Sequence, residues 1–504
     1  MNPPRSRAVY AVLLTGALSA CAVGPDYEKP SIDVPARWGN SSASQSPKPA
    51  DLAEWWKRLR DPTLDRLVTE AVSGNLDVAS AKARVREARA SYEQSRSSLF
   101  PSVNGTASAS RSQSAGGGRV VDAGSSGRIS NSTRGGLDAS WEVDLFGANQ
   151  RNVEAARYGL DAAQEDLRAT LLTLIGDIAF NYVDLRSYQA RIALARRTAA
   201  TQRETARLTR AKFDVGAASG MDVANADGQV ASTEAAIPSQ ETAAAQAIHR
   251  LGVLTGRAPT ALADLLRKTA PVPSPRLPLP VGVPGDILLA RPDVRLAERR
   301  LAQATARIGA AEAARYPAIS LTGNVATSGV RLGDLAKNSS ISWAFGPSLS
   351  VPVFNAGQLQ AAVASSQAQR DQQFFALHAS VLLALEEVEN ALVGLAQERI
   401  RQGKLAQAAA SYGESARLAR SLFESGSTSF IEVLDAERSL YSAEDALIQS
   451  RAAIATQYIT LNKALGGGWS GAVDTTRPAI VDNMGPRPAA FLRPAPAPTP
   501  AASP

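Results

Sequence analysis

Three acidic residues follow a turn-like sequence near the C-terminal end of the chain. The stretch FESGSTSFIEVLDAERSL, residues 423–440, places Glu432, Asp435 and Glu437 within six residues. Two carboxylates at such a spacing could act as a general acid and a general base. On a helix, however, Glu432 and Asp435 lie one turn apart near its beginning, where acids also favour the positive end of the helix dipole. At this point the sequence leaves both interpretations open.

A second acidic cluster and two histidines are further residues that could do chemistry. Glu386, Glu387 and Glu389 stand close together, but adjacent helical positions point about 100° apart. These acids are better interpreted as interhelical salt-bridge partners than as a catalytic pair. His249 and His378 have neither a cysteine nor a second histidine at metal-ligand spacing. Because nucleophile-elbow, Walker and zincin motifs are also absent from the sequence, we predict no enzyme activity and no metal site.

The N-terminus reads as a lipoprotein export signal. Arg5 and Arg7 precede the apolar run AVYAVLLTGA, which is too short to anchor the chain across a membrane. The run ends in LSAC, residues 18–21, which resembles the lipobox of bacterial lipoproteins. That resemblance implies cleavage after residue 20 and a covalent diacylglycerol and N-acyl lipid on Cys21. With Ala22 next in sequence, it also implies the outer membrane.

Composition and charge restrict the class of protein. Removal of residues 1–20 leaves 52 Lys and Arg against 47 Asp and Glu. Without a basic patch interleaved with aromatics, so small an excess gives no reason to expect a nucleic-acid partner. Aromatic residues make up only 5% of the chain, which is typical of long helices with narrow, Ala-rich seams. Cys21 is the only cysteine, so the chain forms no internal disulfide.

The chain contains an internal duplication. LDVASAKARVREARASYEQSRSSLFPSV, residues 76–103, aligns with PDVRLAERRLAQATARIGAAEAARYPAI, residues 292–319, at an offset of 216. FDVGAASGMDVANADGQV, residues 213–230, aligns with residues 423–440 at an offset of 210. The offsets differ because the segment between the matched blocks is longer in the first half. Each half is predicted to be one unit: helix, hairpin, very long helix, turn and long helix.

Apolar residues in the predicted long helices recur every seven positions. A seven-residue repeat indicates left-handed supercoiling with knobs-into-holes packing. The preceding stretches, from about 149 to 213 and from about 357 to 423, keep 3/4 spacing without a proline. Each would run on the order of 100 Å at 1.5 Å per residue, which is the scale of a structure that crosses the periplasm. The seam residues are Val223, Val230, Ile237, Ala244 and Leu251 in the first half, and Val433, Leu440, Leu447, Ile454 and Leu461 in the second.

Segments between the helices alternate apolar with small or polar residues. SISWAFGPSLSVPVF, residues 340–354, has Trp343, Phe345 and Leu349 on one face, and GLDASWEVDLF, residues 136–146, has the same pattern. Such alternation over about ten residues is typical of strands in a membrane β-barrel. Each half offers one strand pair, so the chain offers four strands. Since closed barrels need about eight or more strands, several copies must share one barrel, and three copies would supply twelve strands.

Several blocks together carry a family resemblance. WWKRLRDPTLDRLVTEAVSGNLDVASAKARV, RPDVRLAERRLAQATARIGAAEAARYPAISL, SVPVFNAGQ, ALEEVENAL and VLDAERSL make the chain similar to the TolC-like outer-membrane efflux proteins. The similarity runs from the lipobox to about Trp469, and is specifically to the lipoprotein branch that serves resistance-nodulation-division pumps. It implies a mainly α fold with transmembrane β-strands. A homotrimer would share a twelve-stranded β-barrel, continued by a twelve-helix coiled-coil α-barrel with an equatorial girdle.

The resemblance also implies a function and partners. The protein would be the passive exit duct of a tripartite pump that exports small molecules across the periplasm and the outer membrane. Its partners would be a periplasmic membrane-fusion adaptor, an inner-membrane resistance-nodulation-division transporter and outer-membrane lipid. Alternatives are a type I protein-secretion conduit, since the same duct can carry polypeptide, and a lipid-anchored periplasmic coiled-coil scaffold or adaptor. An adaptor would have one helical hairpin between lipoyl-like and barrel domains, and a scaffold would need no alternating strands.

Domain boundaries follow from the duplication and the flanking composition. We predict a signal peptide with lipobox at 1–20, followed by a lipid-anchored linker and equatorial segment at 21–74. The first repeat covers 75–270, with hairpin 101–146 and tip turn 213–221, and a Pro-rich linker at 271–285 joins it to the second repeat, 286–468, with hairpin 317–354 and tip turn 423–431. A C-terminal equatorial segment with a disordered Pro/Ala-rich tail occupies 469–504.

The two tip turns have helix-ending and helix-starting signals. Gly216 and Gly426 are suited to left-handed C-terminal caps, and Asp222 and Glu432 stand in the opening turn of the next helix. Capping and dipole complementation therefore explain these acids in part. Basic residues close the long helices at matching places, where they complement the negative end of the dipole: Arg207 and Arg210, then Arg417 and Arg420.

The resemblance places a periplasmic gate at these turns. It implies that Asp222, Glu432 and Asp435 form an acidic constriction, with Arg438 as a basic partner that links neighbouring helices. Thr428 stands where some relatives carry an arginine of the closing network, so closure would rest more on Asp435 and Arg438. The tips where the adaptor docks would comprise Phe213, Gly216, Phe423 and Gly426.

Overall fold

The computed structural model describes residues 22–39, 52–113, 129–275, 284–285 and 291–477. Cys21, most of the predicted Pro-rich linker and the tail beyond residue 477 lie outside these ranges. Eight helices and four strands carry labels below. The helices are α1 (Pro62–Gly74), α2 (Leu76–Ser97), α3 (Ala148–Asp214), α4 (Gly220–Leu254), α5 (Ala263–Leu266), α6 (Pro292–Ala313), α7 (Gln358–Glu424) and α8 (Phe430–Ala464), and the strands are β1 (Ser102–Gln113), β2 (Ile129–Val143), β3 (Ala318–Gly329) and β4 (Ile341–Ser350).

The duplication predicted from the sequence is exact in helix length. Helices α2 and α6 have 22 residues each, α3 and α7 have 67 each, and α4 and α8 have 35 each. The two hairpin segments differ, since residues 98–147 separate α2 from α3, whereas only 314–357 separate α6 from α7. This difference of six residues accounts for the two offsets.

The four strands form one antiparallel sheet in the order β1-β2-β3-β4. Strand β2 pairs with β3 in a register that sets Leu137 opposite Val325, and so joins the hairpin of the first repeat to that of the second. The outer edges of β1 and β4 have no partner strand within the described part of the chain. The apolar side chains of β4 are open to solvent, with Trp343 and Phe345 each 76% exposed.

The long helix α3 is the centre of the helical packing. It contacts α2, α4, α6 and α8, while α7 packs on α6 and α8. Of the predicted second seam, Val433, Ile454 and Leu461 are buried within the single chain. The main core lies where the terminal segments cross the helices: Trp56 stacks on Trp469 with ring centroids 6.1 Å apart. The segments that flank the two repeats thus pack on each other and on the main core.

Asn75 and Arg291, the residues before α2 and α6, each donate to the last carbonyl of another helix. The last carbonyls of a helix lack intrahelical donors. In the first repeat the Asn75 amide donates to the carbonyl of Leu254 at 2.9 Å, and in the second the Arg291 guanidinium donates to the carbonyl of Ala464 at 2.7 Å. Arg291 also pairs with Asp293 at 2.6 Å. Burial raises the pKa of Asp293, but hydrogen bonding and the charge of Arg291 lower it by more, so its pKa lies below the ordinary value.

Residues 22–39, the N-terminal strap, run along α6 and α7. The strap begins at the base of the sheet, where the amide of Val23 donates to the carbonyl of Phe146 at 3.1 Å. Further along, the Tyr27 hydroxyl donates to Glu298 Oε1 at 3.1 Å. Burial and the Glu298 carboxylate raise the pKa of Tyr27, which keeps the phenol protonated. The backbone amide of Gly39 ends the strap on Glu389 of α7, at 2.6 Å.

Candidate functional site

The turns that connect α3 to α4 and α7 to α8 share one geometry. Gly216 has a φ of 75° and Gly426 a φ of 78°, which confirms the predicted left-handed caps. The amide of Ala217 donates to the Lys212 carbonyl at 2.7 Å, and the amide of Ser427 donates to the Leu422 carbonyl at 2.8 Å. These six-to-one bonds define Schellman motifs. Both long helices therefore reverse direction in the same way.

Asp222 is engaged in capping α4. Its Oδ2 accepts from the Ser219 amide at 2.9 Å and from the Ser219 hydroxyl at 2.7 Å, while the Ser219 Oγ accepts from the Asp222 amide at 3.1 Å. This reciprocal arrangement is a capping box, which satisfies amides that the helix leaves without partners. The local interpretation of this acid thus has direct support in the structure.

Glu432 and Asp435 lie exposed on the first turns of α8. The Thr428 hydroxyl donates to Glu432 Oε2 across one turn, so Thr428 contacts one of the predicted gate acids. Among the residues that the structure describes, Asp435 has no hydrogen-bond or ion-pair partner. Within the described residues its charge has no basic partner, and the same holds for Glu432, whose bond is to a hydroxyl.

Arg438 links the two tip hairpins of the same chain. Its Nε donates to Gln229 Oε1 of α4 at 2.6 Å. The side chain is exposed, and no ion pair joins it to Asp435 within the described ranges. The structure thus brings Arg438 to a neighbouring helix, as the family resemblance implied, but its partner there is an amide and not an acid.

Glu437 has a role that sequence reasoning missed. Its carboxylate is buried and accepts from Arg420 of α7 at 2.6 Å and from the Thr205 hydroxyl of α3 at 3.1 Å. At the 210-residue offset, Arg210 pairs with Asp227 at 2.5 Å, but this pair is exposed. The repeated 17-residue spacing between arginine and acid was the available signal. The structure further pairs Arg207 with Glu204 and Arg417 with Glu414, so each of these four arginines has an acidic partner.

Aromatic packing holds the second tip together. Phe423 is 4% exposed and meets the Phe430 ring edge to face at a centroid distance of 5.9 Å. The ammonium of Lys212 lies 4.3 Å from the centre of the Phe423 ring. Phe213, its counterpart in the first repeat, is 47% exposed. Of the residues assigned to docking, Phe423 therefore belongs to the tip core, whereas Phe213, Gly216 and Gly426 are exposed.

Comparison with known proteins decides the family. The model of the outer membrane efflux protein family matches residues 67–257 and 283–467, which are nearly all of both repeats. The chain belongs to this family. It is 35% identical over 453 residues to nodulation protein T of Rhizobium leguminosarum bv. trifolii, covering 90% of this chain and 96% of that protein.

Two further likenesses extend along about nine tenths of the chain. The chain is 33% identical over 472 residues to the probable efflux pump outer membrane protein TtgC of Pseudomonas putida, covering 92% of this chain and 95% of that protein. The solved outer-membrane channel OprN matches with a TM-score of 0.82 at 34% identity, covering 89% of this chain and 100% of that one. The protein is an outer-membrane efflux channel that extends into the periplasm, and as a passive channel it is not an enzyme.

Other residues of this outer membrane efflux protein agree with a structural role. Glu387 pairs with Arg291, which precedes α6, at 2.7 Å, as predicted for a salt bridge between helical segments. Glu386 instead bonds to Asn390 of its own helix, and Glu389 accepts from the amide of Gly39. His249 and His378 are exposed. In the described part of the chain, no group of three or more His, Cys, Asp or Glu side chains could hold a metal ion. Nor does any helix there have the length and apolarity to cross a membrane.

Proposed function

We propose that three copies of this chain form the exit duct of a tripartite efflux pump. The observation that carries the proposal is the four-stranded sheet, whose two outer edges have no partner strand among the described residues. Its strands have 10 to 15 residues, long enough for a transmembrane strand, which needs about 9–11. Because an open edge leaves backbone groups unsatisfied in lipid, β1 of one copy must pair with β4 of the next. Three sheets then close a barrel of twelve strands.

The helical half continues this duct across the periplasm. The 67 residues of α3 and of α7 each correspond to about 100 Å of helix. With two long hairpins per copy, α3 with α4 and α7 with α8, three copies supply a ring of twelve helices at the tip level. The chain has no energy-coupling motif, so an inner-membrane transporter must drive export and a periplasmic adaptor must join it to the tips. Two Pseudomonas putida relatives are named for efflux of antibiotic and of toluene, which favours small molecules over polypeptide as cargo.

A lipid anchor on Cys21 would fit the position of the strap. Ala22 lies so close to Gly147 that a Cβ on that glycine would stand 2.8 Å from the Ala22 backbone. Gly147 follows shortly after the end of β2 at Val143. If the sheet spans the outer membrane, the chain resumes at the bilayer surface directly after the proposed diacylglycerol-modified residue. Diacyl and N-acyl chains together supply the multiple lipid signals that stable anchoring requires.

Glu432 and Asp435 would gate the narrow end of the duct. Threefold repetition turns each exposed carboxylate into a ring of like charges, which attracts cations and resists close approach unless it is neutralised. Arg438, held on Gln229 at 2.6 Å, would tie the inner helix α8 to α4 and keep the ring narrow. Docking of the adaptor at the exposed tip residues would loosen this link and let the inner helices rotate outward.

Single-channel recording of purified trimers in planar bilayers tests the duct and the gate. We expect wild-type protein to give small, cation-selective openings that divalent cations reduce, and Asp435→Ala to raise the conductance and weaken that reduction. Asn225→Ala, at the matching position of the first repeat, is the control and should leave both unchanged. Failure to obtain trimers or any pore would reject the duct. A normal pore that Asp435→Ala does not alter would remove Asp435 from the gate.

A further inference from the structure

A groove of about 900 Å³, with both charged and apolar side chains in its lining, runs between α2, α3 and α6. From α6 it is lined by Arg300, Gln303 and Arg307. The strap lies against other positions of this helix: Tyr27 bonds to Glu298, and the cleft beside the strap is lined by Thr305. Glu298 and Thr305 each lie two residues before an arginine of the groove, which is about 200° around a helix. The groove and the strap therefore occupy opposite faces of α6.

These opposite faces give the groove an orientation in the assembly. This step rests on the proposed function. The strap follows a residue whose lipid chains must enter the surrounding bilayer, so the strap runs on the outside of the duct. The groove on the opposite face of α6 then opens into the interior. Arg307 lies six residues before the end of α6 at Ala313, close to the strands, and hence at the membrane end of the duct.

The duplication shows that the groove has arginines without matching acids. Arg84 of the first repeat pairs with Asp166 at 2.6 Å. Its counterpart at the 216-residue offset is Arg300, but the counterpart of Asp166 at the 210-residue offset is Ala376. Thus the second repeat keeps the base and lacks the acid.

Arg307 adds a second cation to the same face. It stands one heptad after Arg300, where the first repeat has Ser91. Both arginines are exposed, and among the described residues neither makes a hydrogen bond or an ion pair. Besides the paired Asp166, Glu87 is the acid that lines the groove. Each copy thus presents two unpaired guanidinium groups against one free carboxylate.

We propose that Arg300 and Arg307 form a basic ring inside the membrane end of the duct that binds organic anions. Three copies bring three guanidinium groups to each of two levels, about 10 Å apart along the duct, because Arg300 and Arg307 lie seven residues apart on α6. Each presents a planar fork of donors that matches carboxylate, sulfonate or phosphate oxygens. A lining of one sign raises the local concentration of the opposite ion. The ring would hold anionic compounds that reach the membrane end of the duct, and multivalent ones longest.

Block of the reconstituted trimer by pyrenetetrasulfonate, added to the extracellular side, tests this ring. The recording is made at about 0.01 M salt, where the screening length is about 30 Å and the ring can act across the lumen. For Arg300→Gln with Arg307→Gln, we expect the half-blocking concentration to rise about tenfold, as for loss of charge-assisted contacts. The chloride-to-potassium permeability ratio should fall about twofold.

Arg299→Gln is the matched control. It removes the same charge from the adjacent position of α6, on the side toward Tyr27 and Tyr158, and should leave block and permeability ratio unchanged. In 1 M salt, where screening acts within about 3 Å, wild type and double variant should agree. If the pore forms but the double variant is blocked at the wild-type concentration, the proposed ring is wrong. The same conclusion follows if Arg299→Gln changes block and permeability ratio as much as the double variant does. Absence of any pore would instead reject the proposed duct, and the ring with it.

Discussion

Glu437 shows at the residue scale how two similar sequences acquire different roles. The two repeats place an arginine and an acid 17 residues apart, but Arg210 and Asp227 have side chains 59% and 51% exposed, whereas Glu437 is 7% exposed. Exposed ion pairs contribute little to stability, because water solvates the two charges almost as well when they are apart. A buried carboxylate depends on its partner, since it has lost its hydration. We therefore interpret Glu437 with Arg420 as the contact that locks α8 onto α3 and α7.

Replacement of Glu437 by glutamine should destabilise the tip, while the matching change in the first repeat should not. Glu437→Gln keeps the shape but leaves the partly buried Arg420 without its counter-charge, at a cost of about 1–3 kcal/mol. Asp227→Asn should cost at most about 0.5 kcal/mol, because that pair is exposed. Hydrogen exchange of tip amides in detergent-solubilised trimers measures both. Equal increases in exchange for the two variants would contradict the assigned difference.

At the element scale, the sequence predicted those features of the fold that its internal repeat and its periodic patterns determine. Helix lengths, the four strands and the Gly216 and Gly426 caps follow from heptads, alternation and the duplication, because these depend on neighbouring residues. The burial of Phe423 and the bond from Arg438 to Gln229 did not follow. They depend on contacts between elements some 200 residues apart in sequence, for which a single sequence has no periodic signal. The same reason kept the role of Glu437 hidden, although its spacing to Arg420 was readable.

The strap shows how an element without regular structure is held. Arg151 of α3 is buried and donates to Asp26 at 2.7 Å and to the backbone carbonyls of Val23 and Gly24 at 3.3 Å. It reaches them across Gly309 of α6, where an added Cβ would stand 2.8 Å from the Arg151 side chain. The absence of a side chain at Gly309 is therefore what lets one guanidinium fix the start of the strap.

Gly309→Ala should loosen the strap, although alanine ordinarily favours a helix. Gly-to-Ala changes inside helices stabilise by about 0.5–1 kcal/mol, which we expect for the control Gly403→Ala, since nothing lies within 4 Å of its added Cβ. At Gly309 the displaced Arg151 should reverse the sign by about 1–3 kcal/mol. Faster trypsin cleavage after the exposed Arg37 reports the loosening. Equal cleavage in both variants would contradict the role assigned to Gly309. Mass spectrometry of the released peptide also shows whether Cys21 carries lipid, and an unmodified Cys21 would contradict the proposed anchor.

At the scale of the whole molecule, the single chain is an incomplete object. Its sheet ends in two open edges, its strands expose large apolar side chains, and its groove opposite the strap is concave. In the proposed assembly of three copies, the edges would pair, the apolar side chains would meet lipid, and the grooves would enclose one lumen. The two repeats would then alternate around the axis, so that a difference between them, such as Ala376 for Asp166, would become a ring of altered charge.

Two adjacent residues of β4 can decide which face of the sheet meets lipid. Phe345 is 76% exposed and shares its face with Trp343, whereas Ala344 points to the opposite face. An arginine on the lipid face near the membrane midplane costs about 2–4 kcal/mol, while lumen positions tolerate it. Phe345→Arg should therefore strongly reduce the heat-modifiable trimer in outer-membrane fractions, and Ala344→Arg should leave its amount near the wild-type level. The reverse order would place Trp343 and Phe345 inside the barrel, and equal yields would mean that the sheet does not lie in lipid at all.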